Sequence, residues 1–181
     1  PTLELRGSPY EFGLAHGRAF RSAIRNYAVE RIRLAGEPGW TGRSSTRAEV
    51  LAVAEACLEH HRRFSPELTE ELEGMAAATD LSLAELIVVG GFTDFVDTMA
   101  AGSQVVLETK ALDDCTAFLV PNARMRDGQG AIGQTWDMHE GSAEHVVLLR
   151  GRPQNAPAFD VFTTAGAVGM IGMNEAGLSV G

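Results

Sequence analysis

The feature that most constrains how this 181-residue chain can fold is a change of hydrophobic period near residue 115. Before that point apolar residues recur every three to four positions, as on one face of a helix; after it they alternate, as on a half-buried strand. Helices first and strands second predict an α+β architecture, divided into a helical segment over residues 1–114 and a strand segment over 115–181, with no flexible linker between them. At 45% hydrophobic and 22% charged residues the chain can bury a substantial core.

The helical segment carries its own start signals. In "GSPYEFGLAHG", Ser8 is placed to cap a helix, Pro9 suits the first helical position, and Glu11 completes a capping box. Phe20, Ile24 and Tyr27 continue one face, so the pattern predicts a single helix from about Pro9 to about Leu34, ended by "EPGWTGRSS". A second helix is expected over Thr46 to Arg63, with Val50, Ala54, Cys57 and His61 along its inner stripe. A third opens at "SPEL" with Leu68, Leu72 and Met75 inward, and a fourth at "DLSLAEL", where Ser82 and Glu85 form another capping box.

The strand segment reads as an antiparallel sheet. "CTAFLV" alternates, "RDGQGAIGQTW" places an Asp-Gly turn between strand-like runs, and "EHVVLLRG", "AFDVFTT", "AVGMIGM" and "GLSVG" are short apolar runs split by turn residues. Gly166, Gly169, Gly172 and Gly177 imitate a nucleotide-binding loop, but no helix follows them to cradle a phosphate. Asn174 in "GMNEAG" fits a tight hairpin and is read as structural.

Charge narrows the partners. A formal charge of −9 disfavours nucleic acid and anionic membranes, which call for clustered Lys and Arg. No run approaches the length of a membrane span, and "PTLELRGSPYEF" lacks a signal-peptide layout, so a cytoplasmic protein with neither nucleic-acid nor membrane partners is expected. Two cysteines make no disulfide framework in a reducing compartment. The "CLEHH" group, Cys57, His60 and His61, offers three metal donors, but no CxxC partner accompanies it, and no metal or cofactor is expected.

Cys57 reads as core. Cys115 stands directly after two acids at the start of an alternating run. By position alone it is either a small buried residue or a reactive thiol. The surrounding motifs favour the second reading: a Cys-Thr strand, a Gly-Gln-x-Trp-Asp strand and a Gly-x-Asn-x-x-Gly turn occur in this order. Together with "GSPYEFGLAHG" and "SPELTEELEGMA" upstream, this resembles the isopenicillin-N acyltransferase family of N-terminal nucleophile hydrolases, relatives of penicillin V acylases and bile salt hydrolases.

The resemblance implies an αββα sandwich whose helical prosegment, residues 1–114, is cut from the catalytic part by self-cleavage between Asp114 and Cys115, the two parts staying associated. Cys115 would then be an amino-terminal nucleophile whose own α-amine, with an ordinary pKa of about 7.7–8.0, takes the thiol proton. The thiolate would attack a small acyl amide or acyl thioester and hand the acyl group to water or an amine. Asp137 corresponds to the family's aspartate that positions the nucleophile; read alone it is a solvated strand-end carboxylate or turn cap. Thr116 would bond the scissile region, or is an ordinary strand threonine. Trp136 reads as core or pocket wall.

Some positions depart from the family pattern. Asp114 stands where it has glycine, and Ala117 and Thr135 replace threonine and asparagine, so substrate preference does not carry over. The family's oxyanion asparagine and essential arginine would fall beyond Gly181, so the sequence is expected to be part of a longer chain. A fold homologue that has lost catalysis and serves as a binding or assembly module is the competing expectation. The acceptor and homo-oligomerisation stay open.

Overall fold

Local capping chemistry sets the helix starts. In this computed structural model, which describes residues 1–101 and 115–181, helix α1 (Pro9–Ala19) begins with the expected capping box: the Ser8 side chain accepts from Glu11 N–H, and the Glu11 carboxylate accepts from Ser8 N–H. Equivalent boxes, Thr46 with Glu49 and Ser82 with Glu85, open α4 (Arg47–Phe64) and α6 (Leu83–Gly90). Ser65 caps α5 (Pro66–Thr79). Two further helices, α3 (Pro38–Thr41) and α7 (Phe92–Ala101), occupy segments where the pattern predicts none. Among the described residues no helix is long and apolar enough to cross a membrane.

The single long helix predicted over Pro9–Leu34 is two. Phe20, at φ −120° and ψ 24°, separates α1 from α2 (Arg21–Ala35). The apolar stripe is continuous through the break, and it passes from one core to the other within α2, between Ile24 and Tyr27. Phe12 and Ile24 join Leu5, Leu72, Met75, Leu86 and Leu149, whereas Tyr27 and Ile32 join Val50, Leu58, Val88 and Phe95. On α4 the inner stripe is Val50, Ala54 and Leu58; Cys57 is half-buried against that core, and His61 is exposed rather than inward. Leu68 is likewise exposed instead of core, because the packed face of α5 is carried by Leu72 and Met75.

Helices α1 and α5 cross at backbone contact. A Cβ on Gly13 would overlap the Glu71 carbonyl, and one on Gly74 would overlap the Tyr10 carbonyl. Small residues at this seam allow the helices to approach closely, and bulk at either position would drive them apart.

The sheet is mixed, not wholly antiparallel. Strand β1 (Thr2–Gly7) forms its edge by pairing in parallel with β4 (Val146–Pro153), Leu3 opposite Leu149. Strands β5 (Phe159–Thr164), β6 (Ile171–Asn174) and β7 (Ser179–Val180) follow antiparallel, giving the order β1-β4-β5-β6-β7. One face of this sheet, with Val147 and Leu149, packs on the helices; Phe162 and Met173 of the other face stay exposed. Asn174 is structural as expected, since its Oδ1 accepts from the N–H groups of Ala176 and Leu178.

A separate two-stranded sheet pairs β2 (Ala117–Val120) with β3 (Ala131–Gln134) antiparallel. Its connection contains a 3-10 turn at Asn122–Arg124 and the expected Asp-Gly turn, where Gly128 has φ +71° and Asp127 Oδ1 accepts from Gln129 N–H.

Candidate active site

The hairpin brings the start of β2 and the end of β3 to one open end. Two hydrogen bonds hold them beyond the regular ladder: Thr116 N–H donates to Thr135 Oγ1 at 3.0 Å, and Thr135 N–H donates to Thr116 O at 2.9 Å. Cys115 precedes this clamp and is exposed, so it is not a buried apolar thiol. Asp137 lies two residues past the clamp and is also exposed. Thus Cys115, Thr116 and Asp137 share one end of the hairpin, but no hydrogen bond joins their side chains among the described residues. Asp114, the other side of the expected cleavage bond, lies outside the described residues.

Beside the clamp is a cavity of about 480 Å³ whose walls include Trp136, Met138, Phe162 and Ile171, with Gln134, His139, Glu140 and Ser142 as polar members. Trp136 is a pocket wall, one of its two expected roles. The mostly apolar wall with a few convergent polar atoms is the ordinary make-up of a small-molecule site. It sits on the sheet face turned away from the helices, where Phe162 and Ile171 pair across β5 and β6.

Behind the cavity a polar chain runs from the strand segment into the helical one. Tyr27 Oη lies 2.7 Å from Ser142 Oγ, Ser142 Oγ lies 3.0 Å from His139 Nε2, and His139 Nδ1 approaches Glu30 Oε1 to 3.5 Å. Ser142 belongs to a 3-10 turn at Glu140–His145, while Glu30, Tyr27 and Arg31 come from α2. The His145 ring stacks on Tyr27 at 4.1 Å, and the Arg31 guanidinium lies 4.2 Å from the centroid of the same tyrosine ring.

Burial sets the charges here. It lowers the pKa of Arg31 to about 10, leaving the guanidinium cationic at neutral pH, and the group donates to the Val89 carbonyl. Desolvation first, and the positive Arg31 second, lower the pKa of His139; desolvation also lowers that of His145. Both imidazoles are therefore neutral at pH 7. Burial raises the Tyr27 phenol, which stays protonated and able to donate.

Sequence pattern marks His139 and His145 only as the two histidines of the strand segment, and it does not reveal Ser142 or the α2 residues as their partners. A signal is present in "MHEGSAEH", whose closely spaced His, Ser and His residues flank a turn. Its partners, however, lie in another segment. No metal-holding group of three or more His, Cys, Asp or Glu side chains occurs among the described residues, and His60 and His61 are exposed on α4.

Comparison with characterised proteins places this α+β chain at a distance from an acyl-transferring enzyme. One relative is the acyl-coenzyme A:6-aminopenicillanic-acid-acyltransferase 40 kDa form of Emericella nidulans, 25% identical over 180 residues. The match takes in 97% of this chain but 44% of the relative, so the chain spans less than half the length of that protein. No protein-family profile matches the sequence.

Proposed function

We propose that the chain is part of a cysteine acyltransferase or amidohydrolase that activates itself by cutting the Asp114–Cys115 bond. The observation carrying this reading is the exposed Cys115, anchored one residue before the Thr116–Thr135 clamp, in a chain related along nearly its whole length to an acyltransferase.

Cleavage frees the Cys115 α-amine. The amine takes the thiol proton, and the thiolate adds to the carbonyl carbon of a small acyl amide or acyl thioester. Collapse of the tetrahedral adduct expels the amine or thiol, which takes the proton back, and leaves the acyl group on sulfur. Water or a second amine then releases it. The Asp137 carboxylate orients the ammonium form between steps, and the apolar cavity beside Trp136 receives the acyl chain. The clamp supports this chemistry by fixing the new terminus against β3 after the peptide link is gone.

Intact-mass measurement of the full-length protein tests the reading: a break before Cys115 is expected in the wild type and none in Cys115→Ala. A thiol-directed acyl analogue should label Cys115 stoichiometrically and spare the half-buried Cys57. Turnover by a wild type that stays uncut would remove the proposed base, and an uncut, unlabelled, inactive protein would favour a binding module.

A further inference from the structure

A second and larger cavity, about 730 Å³, lies on the helix-facing side of the sheet, between α1, the first turns of α5 and the β4–β5 connection. Phe12, Leu68, Phe159 and Val161 give it apolar walls, and Glu67 and Glu71 are its titratable groups. No lysine, arginine or histidine contributes to this lining.

Glu71 is 7% exposed, and among the described residues no hydrogen bond or ion pair engages its carboxyl group. A carboxyl so placed keeps only the narrow opening that the cavity gives it and has no protein partner, so its charged form is disfavoured until a donor enters. The nearby charges are otherwise engaged. Glu11 of α1 is bound by Ser8 N–H, and Arg152, next to the β4 end, approaches Asp160 at 3.9 Å on the other face of the sheet.

We infer that this cavity is a binding site for a small organic cation, a primary ammonium carried on an aliphatic or arylalkyl body. The ammonium would donate to Glu71 and be attracted by Glu67, while the apolar body lies against Phe12, Phe159 and Leu68. An anion or a neutral polar ligand finds no matching group there. The inference stands apart from the Cys115 reading, because this cavity shares no lining residue with the one beside Trp136.

The binding has a proton signature. In the empty cavity burial raises the Glu71 pKa to about 8, so the group is mostly protonated at pH 7. A cation binding beside it favours the carboxylate and expels that proton to the buffer.

Calorimetry of the full-length protein with hexylammonium and with hexanoate, in buffers of different ionisation enthalpy at pH 7, tests this. One saturable site for hexylammonium, release of close to one proton per ligand and no binding of hexanoate are expected. Glu71→Gln should weaken hexylammonium at least tenfold and abolish the proton release; Leu68→Trp, which narrows the cavity while keeping the carboxyl, should weaken it by a similar factor. The variants are compared after circular dichroism shows them folded, and the wild-type proton count decides the matter if Glu71→Gln is not. Absence of saturable hexylammonium binding, equal binding of hexanoate, or binding without proton release overturns the inference.

Discussion

Tyr27 Oη and Ser142 Oγ, 115 residues apart in sequence, meet at 2.7 Å in the interior. The bond ties helix α2 to the turn that forms one wall of the cavity beside Trp136, and it positions His139 through the same serine. It is a link by which the helical segment can shape the candidate site without contributing to its lining.

Removing that hydroxyl should loosen the link while leaving the ring stack on His145 in place. Tyr27→Phe leaves Ser142 short of a partner in a buried setting, where such a loss costs about 1–3 kcal/mol. Urea denaturation of the full-length variant should show a lower midpoint at an unchanged slope. An unaltered midpoint would mean that the contact carries no stability.

Stability should fall on the acid side partly through His16. The ring is fully buried, its Nε2 accepts from Gly166 N–H at 3.3 Å, and burial lowers its pKa to about 4 from 6.5. Between those values the unfolded chain binds the proton and the folded chain does not, so the stabilisation is complete above pH 6.5 and is lost as pH falls towards 4. The shift corresponds to about 3 kcal/mol. His139 and His145 add loss of the same sign, so the decisive measurement compares wild type with His16→Gln from pH 7 to 4: the variant should have the shallower pH dependence.

The α1–α5 seam should reject even a methyl group. Gly13→Ala places a Cβ on the Glu71 carbonyl, a rigid neighbour, and overpacking of this kind costs about 1–3 kcal/mol. Gly39→Ala is the control, because nothing lies within 4 Å of the added atom. Thermal unfolding should separate the two clearly; equal melting temperatures would contradict the close crossing.

Under the proposed chemistry Asp137→Asn should act on rate and not on folding. The residue is exposed and has no hydrogen-bond partner among the described residues, so stability should stay within about 0.5 kcal/mol of wild type. Loss of the charge that orients the Cys115 amine should slow thiol acylation by about 10²-fold, within the range of acid–base effects. Stopped-flow labelling of Cys115 measures this. Wild-type acylation kinetics would remove Asp137 from the mechanism.

Much of the chain is legible in its residue pattern. The Ser8 and Ser82 caps form where the pattern puts them because a capping box is closed by residues three apart. The Asp127–Gly128 turn and the Asn174 hairpin follow for the same reason, side chain answering nearby backbone. The break at Phe20 is hidden because α1 and α2 share one apolar stripe, and Ile24 of α2 joins the same core as Phe12 of α1. Strand β1 escapes notice because a six-residue run beside a helix start shows no partner of its own. His61 and Leu68 have the spacing of core residues, but neither is buried.

The sequence by itself determined most of the kinds of element and the capped helix starts. These follow from side-chain period and from hydrogen bonds closed within a few residues. Tertiary structure alone decided the parallel pairing of β1 with β4, the meeting of His16 with Gly166 across 150 residues, the Tyr27–Ser142–His139 chain and the burial of Glu71. Those outcomes depend on which distant surfaces exclude water together, a property of the packed chain that no local pattern records.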